Sequence, residues 1–137
     1  MKFEQSKYFK TIKHFKLVMP WGNYYLYEKF VVSELDHGIH FDWDKTKLLL
    51  KELIEFYGDN AKIGFISNRV NAYSIDPQNW SKVQKEHNLL LASAIVIYNS
   101  STYLNATLEK HFSKTSMKRC NSLDEAVTWI TGLNELN

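Results

Sequence analysis

Ser67, Asn68, Arg69, Asn71, Tyr73 and Ser74 place three hydroxyls, two amides and a guanidinium inside the short stretch SNRVNAYS. Such a set binds more readily than it reacts. A guanidinium forks onto a carboxylate or a phosphate, and amides and hydroxyls complete the hydrogen bonds around it. The stretch follows the apolar run KIGFIS and precedes Asp76 and Pro77, a capping residue and a first-turn residue that open a helix. A polar connection at the carboxyl end of a buried strand is where α/β sheets hold ligands. On that reading all six residues are accessible, and Arg69 binds an anion or an acidic residue of a partner. The structural alternative has Arg69 clamping neighbouring carbonyls or a carboxylate while the Asn side chains close turns.

A second cluster, HGIHFDWD, brings together His37, His40, Asp42 and Asp44. Imidazoles and carboxylates suit zinc, which needs three or four ligands converging at roughly 2 Å. The spacing favours another use: Asp42 caps the following helix, Asp44 complements its dipole in the first turn, and His37 sits in a turn before Gly38. We expect no metal and no cofactor. G-x-S-x-G, P-loop and G-x-G-x-x-G motifs are absent, and five scattered glycines form no phosphate-cradling loop. The chain therefore reads as non-enzymatic. A small hydrolase with a Ser-His-Asp site assembled from distant positions is one alternative, because triads are recognised by geometry and not by order. Weak nucleic-acid binding is the other, through Lys110, His111, Lys114, Lys118 and Arg119 around Phe112. With 17 basic and 15 acidic residues, however, the net charge is +2, too balanced to drive such binding. Lys110 and Lys114 serve a helix C-terminus instead.

The elements that position these groups follow from the pattern of apolar residues. The 137 residues, 45% of them hydrophobic, fill one core, so residues 1–137 read as a single domain, with 1–21 an N-terminal extension. In that extension Lys7, Lys10, Lys13 and Lys16 alternate with Phe9, Ile12 and Phe15, which predicts a short amphipathic helix packing its aromatics on the domain. YYLYEKFVVSEL predicts strands at 24–27 and 30–35, turning at Glu28 and Lys29. A helix follows Asp42, with Leu49, Leu50, Leu53, Phe56 and Tyr57 on one face and Gly58 as its stop. Residues 62–67 and 91–98 read as neighbouring central strands joined by the helix after Asp76. Ser100 or Ser101 caps a further helix with Leu104, Leu108 and Phe112 on one stripe. SMKRC predicts an edge strand, and SLDE is a capping box for a last helix that turns Leu123, Val127 and Ile130 to the core. The lone Cys120 excludes a disulfide framework, reads as a packing residue and fits a reducing, cytoplasmic setting. No stretch approaches the roughly 20 apolar residues of a membrane span.

This order of elements, with the segments YLYEKFVVSELDHGIHFDWDKTK, IGFISNRVNAYSIDP and RCNSLDEAVTWI, resembles the small bacterial proteins of the STAS/SEC14-like group, which have the SpoIIAA-like fold of anti-sigma-factor antagonists. The resemblance spans roughly residues 22 to 133. It implies an α/β fold with a mixed four- to five-stranded sheet and helices mainly on one face. It also implies a non-catalytic binding or regulatory module that takes a protein partner or an apolar ligand, with a homodimer as one form. In the antagonists a serine or threonine at a helix N-terminus is phosphorylated, and the matching position here is Ser74, with Arg69 in place to pair with the phosphate. This chain has Ser-Ile-Asp-Pro where the antagonists have a glycine-containing turn, and Asp76 would repel a phosphate there.

Overall fold

The computed structural model describes residues 1–136. After a single helical turn at Phe3–Gln5, the order is α1 (Lys7–Thr11), β1 (Phe15–Met19), β2 (Gly22–Leu26), β3 (Phe30–Leu35), β4 (His40–Phe41) and α2 (Trp43–Tyr57). It continues through β5 (Ile63–Asn68), β6 (Ser74–Ile75), α3 (Gln78–Glu86), β7 (Leu90–Val96), α4 (Ser100–Phe112), β8 (Ser116–Cys120) and α5 (Leu123–Thr131). Six strands form one mixed sheet in the order β1-β2-β3-β5-β7-β8. The β1-β2-β3 half is antiparallel and the β3-β5-β7-β8 half is parallel. β4 and β6 form a separate two-residue parallel ladder. The expected neighbours β5 and β7 lie side by side, with Ile66 opposite Ala94.

The sheet exceeds the expected four to five strands because residues 15–19 are extended and pair with β2. α1 stops at Thr11, since five residues make too few hydrogen bonds to carry a helix onward without a packed face. Leu17 and Met19 then turn toward the core, and Lys16 pairs with Glu4 at 2.6 Å. Residues 1–21 pack against the rest of the chain. Phe3 is fully buried, its ring 4.7 Å from that of Tyr25, and its N–H donates to Glu34 Oε2 at 2.8 Å.

Alternation along the strands gives each face its own core. Tyr24, Leu26, Val31, Leu35 and Phe65 pack with Leu49, Leu53, Trp80 and Val83 of α2 and α3. Tyr25, Val32, Ile66, Ala92, Ala94 and Val96 pack with Phe3 and with Leu123, Ala126 and Ile130 of α5. Helices therefore cover both faces, with α2, α3 and α4 on one and α5 and the N-terminal turns on the other. α4 lies opposite to expectation: Leu104 is 68% exposed and Leu108 51%, while Ala106 and Glu109 point inward. Among the described residues no helix is long and apolar enough to cross a membrane.

At the β2–β3 pair a side chain has no room. A Cβ on Gly22 would sit 2.7 Å from Leu35 Cα and 2.8 Å from the Glu34 carbonyl oxygen. These are backbone atoms of the paired strand, so Gly22→Ala is expected to lower the unfolding free energy in urea by about 1–3 kcal/mol. An unchanged midpoint would contradict the tight strand approach.

Candidate functional site

β5 is buried along its whole length and ends in the polar stretch. That stretch turns into the protein, against the expectation of an accessible surface: Ser67, Asn68 and Arg69 are buried, Asn71 and Tyr73 are half-buried, and Ser74 is exposed. The reason is a carboxylate on α4. Arg69 Nη1 and Nη2 donate to Glu109 Oε2 and Oε1, both at 2.6 Å, and Arg69 Nε donates to Ser67 Oγ at 2.7 Å. Trp80 Nε1, from the first turn of α3, donates to the same carboxylate at 2.9 Å. Ser67 Oγ lies 3.1 Å from the Tyr73 hydroxyl, and the guanidinium stands 5.3 Å from the centre of the Tyr73 ring. Arg69 is 7% exposed and Glu109 1%, so the fork geometry compensates two desolvated charges. Burial works against the Arg69 cation, but Tyr73 and the Glu109 carboxylate outweigh it and hold the guanidinium above its ordinary range. Burial pushes the Tyr73 phenol up.

The other three predicted residues point away from this cluster. Asn68 faces the opposite side of the sheet, where Nδ2 donates to the Met1 carbonyl at 3.0 Å and to Glu34 Oε2 at 2.9 Å. Its Oδ1 accepts from the Tyr98 hydroxyl at 2.6 Å. Asn71 Nδ2 donates to the Leu35 carbonyl, as an Asn closing a loop does. Ser74 lies on β6 with its Oγ 2.6 Å from His40 Nδ1, across the β4–β6 ladder. It is not at a helix start. Asp76 holds that place, accepting the Gln78 N–H at 3.0 Å.

In the histidine–aspartate cluster, Asp42 accepts the Lys45 N–H at 3.0 Å as the cap of α2, and Asp44 pairs with Lys47 at 3.6 Å. Backbone and side-chain bonds from Lys45 hold the Asp42 carboxyl below its usual range. Among the described residues no group of three or more His, Cys, Asp and Glu side chains is placed to hold a metal. The basic cluster also divides. Lys118 pairs with Glu125 of α5 at 3.6 Å, whereas the adjacent Arg119 lies over Tyr103 of α4 at 4.5 Å. Alternate residues of β8 point to opposite faces of the sheet, so these cations form no continuous row.

Between the sheet and the pair α2 and α3 lies a cavity of about 50 Å³. Leu49, Leu50 and Leu53 wall it from α2, Trp80 and Val83 from α3, and Phe65 from β5. Ser67, Arg69 and Tyr73 reach it at the carboxyl end of β5, and Asn79 reaches it from α3. Tyr73, Ile75 and Leu90 line it while only half-buried. Its lining includes no histidine, cysteine or carboxylate among the described residues. Cys120 packs on the other face of the sheet, where burial pushes its thiol up to about 11.

The chain is similar in structure to an uncharacterized protein of the DUF3478 family with a SpoIIAA-like fold from Shewanella loihica PV-4. The TM-score is 0.52 and the identity 10%, over 86% of this chain and 92% of that one. The fold is SpoIIAA-like. No protein-family model matches the sequence, and no curated protein matches it.

Within this SpoIIAA-like frame, three residues around the cavity carry no signal in the sequence. Glu109 stands between Leu108 and Lys110 on a helix whose leucines mimic a core stripe. Trp80 and Asn79 follow Pro77 and Gln78 in a first turn where polar types are ordinary. One clue is positional: Ala106, three residues before Glu109, is buried on the same face of α4.

Proposed function

We propose that the chain is a non-catalytic binding module of the STAS/SEC14-like type, taking a small apolar ligand, or the apolar end of a larger one, in the cavity beside α2. The observation that carries this reading is the cavity itself, walled by Leu49, Leu53, Phe65 and Val83 and bounded at one end by polar groups bonded to one another. Small-molecule sites are concave and mostly apolar, with a few placed polar groups that orient the ligand. Ser67, Arg69 and Tyr73 are the orienting groups in this proposal. A cytoplasmic setting accords with the buried, free Cys120. The absence of an acid or base from the lining favours binding over a hydrolase, since a triad needs a base within reach of its nucleophile.

Xenon is a suitable probe, because apolar cavities take it up without hydrogen bonding. Under xenon pressure the NMR methyl resonances of Leu49, Leu53 and Val83 are expected to shift in a saturable way, while the exposed Leu104 and Leu108 methyls stay in place. Shifts spread evenly over all five, or none at the cavity, would refute the site.

A further inference from the structure

Asn79 is 2% exposed and lines the cavity, yet its Oδ1 has no hydrogen-bond partner. Its amide cannot simply be turned over. Nδ2 donates to the Phe41 carbonyl at 3.0 Å and to Thr46 Oγ1 at 3.1 Å. The first is only an acceptor. The second has committed its own proton to the Asp42 carbonyl at 2.8 Å, so it too must accept from Asn79. The reverse orientation would set two pairs of oxygens against each other. Oδ1 is therefore the open end of the amide, and buried carbonyl oxygens are nearly always satisfied in native proteins.

Resting on the cavity reading above, we infer that the ligand of this site carries a neutral hydrogen-bond donor, a hydroxyl or an amide N–H, which Asn79 Oδ1 receives while the apolar body packs on Leu49, Leu50, Leu53 and Val83. Charge is excluded from both sides. A cationic donor would lose its hydration in a largely apolar space whose lining offers no carboxylate to compensate it. An anion would find both arms of Arg69 taken by Glu109. The ligand class is thus a small neutral amphiphile, or a longer apolar molecule ending in such a group.

The isomers 1-butanol and diethyl ether have the same atoms, and only the alcohol donates. NMR titration of the intact protein with each, read at the Leu53 and Val83 methyls and at the Asn79 side-chain amide, separates the possibilities. The expected result is about tenfold tighter binding of the alcohol, the size that follows when a buried acceptor is met or left unmet. Asn79→Ala should bring the two affinities together; if that variant does not fold, the wild-type ratio decides alone. Equal affinities in the wild type, or a preference that survives in a folded Asn79→Ala protein, overturn the donor assignment. A xenon response with no binding of either isomer overturns it as well and leaves the apolar cavity standing. No xenon response removes the cavity reading, and the assignment with it.

Discussion

Glu109→Ala is expected to cost about 3–5 kcal/mol of unfolding free energy, the range seen when one partner of a buried ion pair is removed. The magnitude comes from what stays behind. Arg69 would keep its charge 7% exposed, with Ser67 Oγ and the Tyr73 ring as its remaining contacts, and Trp80 Nε1 would lose its acceptor. Arg69→Ala is expected to fall in the same range, because it leaves a buried carboxylate held only by Trp80. The double variant Arg69→Met with Glu109→Leu should cost far less than the two single changes added together, since apolar groups of similar volume need no compensation. Urea unfolding of the three proteins tests the set. A Glu109→Ala cost below about 1 kcal/mol would show that the pair is solvated and not buried.

Phe3→Ala is expected to destabilise by about 3–5 kcal/mol, as truncating a buried aromatic ring does. The ring is completely enclosed, meeting Tyr25, Tyr27 and Phe9 at 4.7, 6.0 and 6.4 Å between centroids. Deleting residues 1–5 should cost more still, because Asn68 loses the Met1 carbonyl and Glu34 loses the Phe3 N–H. A dispensable extension would leave the unfolding midpoint where it is, and that result would place Phe3 outside the core.

Much of the frame was legible because its signals are local. The uninterrupted apolar runs in β5 and β7, the Asp42 cap of α2 and the Ser122 cap of α5 each act within a few residues. What could not be read depends on partners far along the chain. Arg69 finds its carboxylate 40 residues away, and nothing around either residue announces the other. The same pair explains the misread α4: placing Glu109 inside turns Leu104 and Leu108 out, although their spacing fits a core stripe. The site suffers similarly. Ser67, Arg69 and Tyr73 gather at the cavity, but Asn68, Asn71 and Ser74, equally polar in sequence, point to three other places.

The inward carboxylate of α4 also bears on how the protein breathes. A helix attached only through apolar contacts can lift away in a local fluctuation, whereas lifting α4 would separate Glu109 from Arg69 and strand one charge in the core. Its inner amides, near Ala106 and Glu109, should therefore exchange with solvent on the timescale of the sheet. Its outer surface carries no such obligation, so sequence drift there is free to replace Leu104 and Leu108 while Glu109 and Arg69 can only change together.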